Sequence, residues 1–408
     1  MSVRVPLGFR ACLLSWTAAA VAMPAGAGVD SVEIIQAATE IPQDQLLDVG
    51  IELFDPGLPE GDAHALEEKG IFPDLRRSEA RYVPYHLKDT LEGTASWGAV
   101  RVIPRGAAGV DVRVSGTIVE SNGMNLVLDV AVEDSRGRKW LEKRYKGDAD
   151  PAAYYDEDGS HNVADPYQAL YNLIANDMLQ DRLRLDAEEV ADIRTLSELD
   201  FAVDLVPAAF GDYLEASRKG RVSARKLPAA DDPMMLRVDK VRERDDLFVD
   251  TLNEHYADFS LRMRGPYDSW RHFSYEEQLE LQQIRRAARM RMILGAFMIV
   301  GGVVQGGNVG DVAMVGGTLV VGSAIQKAQE GKIHRDALQE LASSFDAEMT
   351  PVLVEVEGQT LKLEGSAEAQ FAEWRRLLGE IFASETGLPA DPDTVVDPSA
   401  SPSAADHL

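Results

Sequence analysis

The sequence predicts an α+β protein: an α/β sandwich domain with helices on a mixed sheet, a helical middle region, a glycine-zipper helical hairpin, and a small C-terminal β-hairpin followed by a helix. Three observations carry this. Between residues 46 and 147, short runs place apolar residues at every second position and are separated by turn signals, the pattern of half-buried strands. Between residues 190 and 291 the apolar residues fall three and four apart instead, as on one face of a helix. Residues 292–325, "MILGAFMIVGGVVQGGNVGDVAMVGGTLVVGSAI", carry one charge, Asp311, and many glycines.

The chain has 408 residues, enough for two or three domains, and its 45% apolar share is ordinary for a folded protein. Residues 1–28 read as a secretory signal: Arg4 and Arg10 form the positive end, Cys12–Met23 the apolar run, and Ala25-Gly26-Ala27 the cleavage site. The single cysteine, Cys12, lies inside that segment. The exported chain is therefore expected to have no disulfide and no cysteine nucleophile. Lipid attachment at Cys12 is disfavoured, because the apolar run follows it instead of leading up to it. Lys and Arg number 41 against 68 Asp and Glu, a net charge of −27, which argues against nucleic acid as a partner. Acidity of this kind serves solubility first.

The elements follow in order. The α/β domain is placed at 29–190. "LLDVGIELFDPGL" (46–58) is a strand ending in Asp55-Pro56-Gly57, and "SEARYVPYHLKDTLEGT" (78–94) a helix expected to start near Pro84. "WGAVRVIP" (97–104) is a strand; in "VDVRVSGTIVE" (110–120), Val110, Val112 and Val114 alternate with Asp111 and Arg113. A turn at "SNG" (121–123) leads to a strand with Leu126, Leu128, Val130 and Val132 on one face. A second turn, Arg136-Gly137, leads to "RKWLEKRYKG" (138–147). The closing helix is expected to start at Asp165-Pro166 and to run through Tyr171, Ile174 and Met178.

This order, with "WGAVRVIP", "VSGTI" and "D.RGRKW", resembles the amino-terminal α/β domain of the Tol-system propeller protein and of the curli-secretion lipoprotein family, over residues about 40–190. The resemblance implies an envelope protein whose domain serves protein contact. The chain departs from it at the first strand, Val49–Phe54, and lacks a lipid-attachment cysteine at the start of the exported chain.

A helical region is placed at 191–291. Phe248, Leu252, Tyr256, Phe259 and Met263 form a helical stripe that Gly265-Pro266 is expected to end, and a second helix from about Tyr275 runs into the apolar segment. A bilayer span takes about 20 apolar residues. "QGGNVG" (305–310) and Asp311 instead divide 292–325 into two short pieces, which predicts a helical hairpin. Gly295, Gly302, Gly316, Gly317 and Gly322 let two helices approach closely, and Arg285, Arg286, Arg289 and Arg291 before them suit a polar membrane surface. Such a hairpin needs cover, from a membrane, other copies or the chain's own domains. Residues 326–385 read as helix, β-hairpin and helix, with Phe371, Trp374, Leu378 and Ile381 on one stripe, and 386–408 as a disordered tail.

No motif of catalysis or metal binding comes forward. The seven histidines show no metal-ligand spacing. Asp250, Glu254 and Asp258, beside His255, share a helix face, which is first a solvated acidic face and only second a cation site. "AYYDEDGSHNVADP" (153–166) has Asp156, Asp158 and Gly159 of a calcium loop but Tyr167 where that loop needs a Glu. "YDSWRHFSYEE" reads first as a corner that anchors two helices in the core, with Tyr267 and Trp270 as candidate partner contacts in the second reading. The expectation is a non-enzymatic protein of the periplasm without cofactor, membrane-associated or homo-oligomeric through the hairpin, with envelope proteins as partners. A soluble binding module for a peptide or glycan, using Trp97 and Trp270, is the alternative, and a carboxylate-dependent hydrolase at Asp250, Glu254 and Asp258 a third class.

Overall fold

The computed structural model describes residues 32–67, 69–154, 165–302, 336, 340, 352–356, 359–363 and 366–387. The expected signal segment, the loop at 155–164, Gly316, Gly317 and Gly322 of the hairpin, and the tail beyond 387 lie outside the described residues.

The chain is of mixed α+β architecture around one five-stranded sheet. Strands β1 (Val49–Glu52), β2 (Val100–Ile103), β3 (Val112–Ser121), β4 (Asn125–Asp134) and β5 (Lys139–Asp148) lie in the order β2-β1-β3-β4-β5. β1 runs parallel to both β2 and β3, while β3, β4 and β5 form an antiparallel meander. The expected alternation holds: Val112, Val114, Leu126, Leu128, Val130 and Val132 are all buried. The turn glycines Gly123 and Gly137 take φ of 76° and 65°, a region open to glycine and costly for other residues. Asp111 departs from its expected outward face. It is buried because its carboxylate accepts hydrogen bonds from the Asp48 N–H (2.9 Å) and the Ser197 hydroxyl.

The parallel pair β1 and β2 requires a crossover, which helices α1 (Ala63–Glu67) and α2 (Pro73–Glu92) provide. α2 starts eleven residues earlier than Pro84 suggested, with Pro73 in its first turn. Pro84 sits inside the helix and removes the N–H that would bond the Ala80 carbonyl. That carbonyl instead accepts from the Phe54 N–H just past β1, at 3.0 Å, so the proline's missing bond becomes a tie between helix and sheet. Ala80, Val83, Leu87 and Leu91 of α2 pack with the sheet, while Leu75 and Tyr82 join a second apolar cluster.

Helices α3 (Gln168–Arg182) and α4 (Ala187–Leu205) follow the meander. α3 begins beyond Asp165-Pro166, because the Asp165 side chain accepts from the Tyr167 N–H and is engaged elsewhere in the core. α4 has a capping box, Asp186 with Glu189. After the short α5 (Pro207–Phe210), β6 (Leu214–Ala216) pairs with β7 (Val222–Ala224), where helix alone was expected. Gly220 supplies the turn at φ 77°, and the Val222 N–H bonds the Arg136 carbonyl of the β4–β5 turn at 2.9 Å.

Helix α6 spans Pro233–Gly302 without a stop at Gly265-Pro266. Its buried face, Leu252, Tyr256, Phe259, Met263, Tyr267 and Trp270, continues across the proline and shares a cluster with Val102 and Ile103 of the sheet and with Leu53 just past β1. Strands β8 (Val352–Val356) and β9 (Gln359–Leu363) pair antiparallel, and α7 (Ala367–Thr386) buries Phe371, Trp374, Leu378 and Ile381 in that same cluster.

Candidate functional site

Among the described residues, a cleft of about 320 Å³ lies outside the carboxyl ends of β1 and β2. Chain turning away from parallel strand ends leaves a crevice, the usual position for a ligand in such sheets. The strand ends supply Leu53, Phe54 and Pro56, and the loop after β2 supplies Pro104–Ala108. α2 contributes Arg77, Ala80 and Arg81, one helix face, held in place by the Phe54–Ala80 backbone bond. α7 contributes Glu368, Phe371, Ala372, Arg375 and Gly379, again one face, and Asp204 and Leu205 come from the end of α4. Four arginines thus meet two acids, in a chain whose acids outnumber its bases.

The arginines are held differently. Arg375 is largely buried and pairs with Asp245 at 3.0 Å and with Asp204, its guanidinium lying 4.6 Å from the Phe201 ring centroid. Burial works against its charge, but Asp245 and Asp204 more than offset this and raise its pKa. These pairs join α7 to α4 and α6. Arg77 is half exposed and bonds Asp74 at 2.7 Å. Arg105 is also half exposed; its Nε donates to the Leu53 carbonyl at 3.0 Å, and its nearest acid, Asp55, stands 3.8 Å away.

A second polar group lies inside the core. Arg271 is 1% exposed, bonds the buried Asp165 at 2.8 Å, pairs with Asp268, and lies 4.2 Å from the Tyr267 ring centroid. Burial pushes the Asp165 pKa up, yet Arg271 reverses this and holds it below its usual value. Glu79 accepts hydrogen bonds from Ser121 and, at 2.7 Å, from the Tyr267 hydroxyl. Burial dominates there and raises its pKa, against the pull of Arg76 and the two hydroxyls. The group joins α2, β3, α6 and the chain leading into α3.

The residues singled out from sequence fall as follows. Tyr267 and Trp270, read as a core-anchored corner and in the second place as candidate partner contacts, are 1% and 2% exposed, so both rings are spent on the core. The corner anticipated there is the middle of α6, and Tyr267 stacks on Trp270 at 6.1 Å. Trp97 is likewise buried, 6.2 Å from Trp140. Asp250 takes Arg101 of β2 at 2.7 Å and Asp258 takes Arg262 at 3.0 Å, so these acids are occupied by surface ion pairs. Gly295 and Gly302 lie on the last turns of α6, as do Arg285, Arg286, Arg289 and Arg291 upstream, with Arg286 exposed. Among the described residues, no helix is long and apolar enough to cross a membrane, and no group of three or more His, Cys, Asp or Glu is placed to hold a metal ion.

Sequence reasoning missed the cleft. It draws on five separate segments, and only the helical spacing of Phe371, Arg375 and Gly379 hinted at a shared face. Compared with known proteins, the chain matches no family model, no curated protein and no solved structure.

Proposed function

We propose that this chain is a non-enzymatic protein of the cell envelope, exported to the periplasm, that acts as an assembly, secretion-accessory or envelope-integrity factor. In this reading the α/β domain contacts envelope proteins, and a glycine-zipper hairpin at 292–325 associates with a membrane or with other copies of the chain. The observation that carries it is the continuity of α6. One helix begins in the apolar cluster of the domain and ends in Met292–Gly302, eleven residues without a charge, just past Arg285, Arg286, Arg289 and Arg291. At about 1.5 Å per residue, its length from Tyr275 to Gly302 is roughly 40 Å. Whatever holds the apolar end is thereby tied to the domain through one rigid element. The order β1-α2-β2-β3-β4-β5-α3 adds support, since it is the order that the resemblance to the amino-terminal domain of the Tol-system propeller protein implies.

The test is removal of residues 292–325 from the full chain, followed by membrane fractionation and light scattering. Loss of membrane association or of self-association is the expected result. A parent protein that is fully soluble and monomeric, and a deletion that changes neither property, would sink the proposal.

The cleft favours a second reading, a soluble periplasmic binding module. Among the described residues its walls hold no His, Ser or Cys, and of the two acids there Asp204 is bound to Arg375, which suits binding more than reaction.

A further inference from the structure

We propose that the cleft binds an amphipathic monocarboxylate, a molecule with an apolar body ending in one carboxylate, and that Arg105 is its anchor. The proposal rests on the binding-module reading and is independent of the envelope reading. Space is the first argument. The cavity of about 320 Å³ falls at the lower end of the range of small-molecule sites, about 300–1,000 Å³. Gly379 lines it from the interior of α7, and a Cβ added there meets no atom within 4 Å. Glycine weakens a helix interior, so close packing does not explain this one. Its effect is to leave the cleft open where a side chain would close it.

Charge is the second argument. Arg105, in the turn after β2, is held at the cleft by the bond from its Nε to the Leu53 carbonyl just past β1. Its separation of 3.8 Å from Asp55 is beyond hydrogen-bond range, so among the described residues its terminal nitrogens have no hydrogen-bond partner. A guanidinium fork presents two parallel N–H donors that match one carboxylate. The walls are the third. Leu53, Phe54, Pro104, Leu205 and Phe371 offer apolar surface to the rest of the molecule. One planar head and an apolar body fit this combination. A phosphate, which gathers many backbone N–H groups, does not.

Two sources share this chemistry, a fatty acid and the C-terminus of an apolar peptide. Calorimetric titration of the full chain with decanoate, decanol, an apolar acetyl-tripeptide acid and its amide separates them. The expected result is that decanoate or the peptide acid binds about 10-fold or more tightly than its neutral counterpart, as a charge-assisted pair predicts. The acid that binds identifies the source. Arg105→Ala should lose about 10-fold in affinity and Gly379→Trp should abolish binding, both with melting temperatures near the parent's. If Gly379→Trp fails to fold, Ala372→Phe fills the cavity from the same helix face two turns earlier. Equal binding of acid and neutral forms that Gly379→Trp still blocks would overturn the carboxylate assignment and leave the cleft a binding site. No binding of any of the four, or binding untouched by all three variants, would overturn both.

Discussion

Asn253 of α6 closes the open edge of the sheet. β2 is the edge strand, and its Val102 backbone would otherwise present an unpaired N–H and C=O on the outer side. The Asn253 Oδ1 accepts from the Val102 N–H at 2.8 Å, and its Nδ2 donates to the Val102 carbonyl at 2.9 Å and to Val249 at 2.8 Å. A side-chain amide on a helix thus makes the pair of bonds that a neighbouring strand would make. Asn253→Leu keeps the volume but leaves two buried backbone groups without partners, at about 1–3 kcal/mol for each. About 3 kcal/mol in total corresponds to about 6–12 °C in melting temperature for a domain of this size. Asn253→Asp should cost at least as much, because it keeps the acceptor and sets a second oxygen against the Val102 carbonyl. Urea unfolding at unchanged m-value measures both, and size-exclusion chromatography shows whether the freed edge pairs with another copy. If Asn253→Leu unfolds within about 0.5 kcal/mol of the parent, the edge-closing role is wrong.

Four further outcomes are expected. The folded-state pKa of Glu79 is raised above its ordinary 4.5, so its contribution to stability is full below that value and is lost as pH rises through the raised one; Glu79→Gln should gain over the parent at neutral pH and lose that gain near pH 4 in urea titrations. Asp165 has the opposite sign, being lowered below 3.8, so the deficit of Asp165→Asn should be full at pH 7 and shrink as pH falls through the lowered value. Arg271→Met should lose about 3–5 kcal/mol by leaving the Asp165 carboxylate buried without a cation, and adding Asp165→Asn should recover part of the loss in a double-mutant cycle. Gly116→Ala would set a Cβ 2.5 Å from the buried Phe54 ring, at a cost of about 1–3 kcal/mol that a thermal melt would register.

Local patterns were legible in the sequence, and distant pairings were not. The alternation in β3 and β4 and the turns at Gly123 and Gly137 follow from period two and from positive φ, both properties of neighbouring residues. The buried position of Asp111 depends on Ser197, 86 residues away, and Arg271 meets Asp165 across 106. No spacing rule reports such pairs, so Asp111 read as an outward residue and Arg271 drew no assignment. The cleft was hidden for the same reason, since Arg105 and Gly379 are ordinary residues until α7 is laid beside the strand ends.

Gly265-Pro266 is the sharpest conflict between local and tertiary signals. A proline in a helix interior removes one bond, crowds the preceding turn, and costs about 3 kcal/mol, which is why the pair reads as a stop. The apolar stripe decides otherwise. Pro266 lies off it, while Tyr267 and Trp270 continue it, and burying each ring contributes about 1.5–3 kcal/mol. The Tyr267 hydroxyl further bonds Glu79 at 2.7 Å, and Arg271 lies over the Tyr267 ring. Ending the helix at Gly265 would forfeit all of these contacts, so α6 continues at the expense of local strain. Removing that strain should then stabilise the chain. Pro266→Ala is expected to gain about 1–3 kcal/mol in urea unfolding. Gly265→Ala should add about 0.5–1 kcal/mol, since the new Cβ meets nothing within 4 Å. A loss of stability in Pro266→Ala would show instead that a bend at the proline is what lays Tyr267 and Trp270 against Phe72 and Tyr82, and that the stripe alone does not decide the path of the helix.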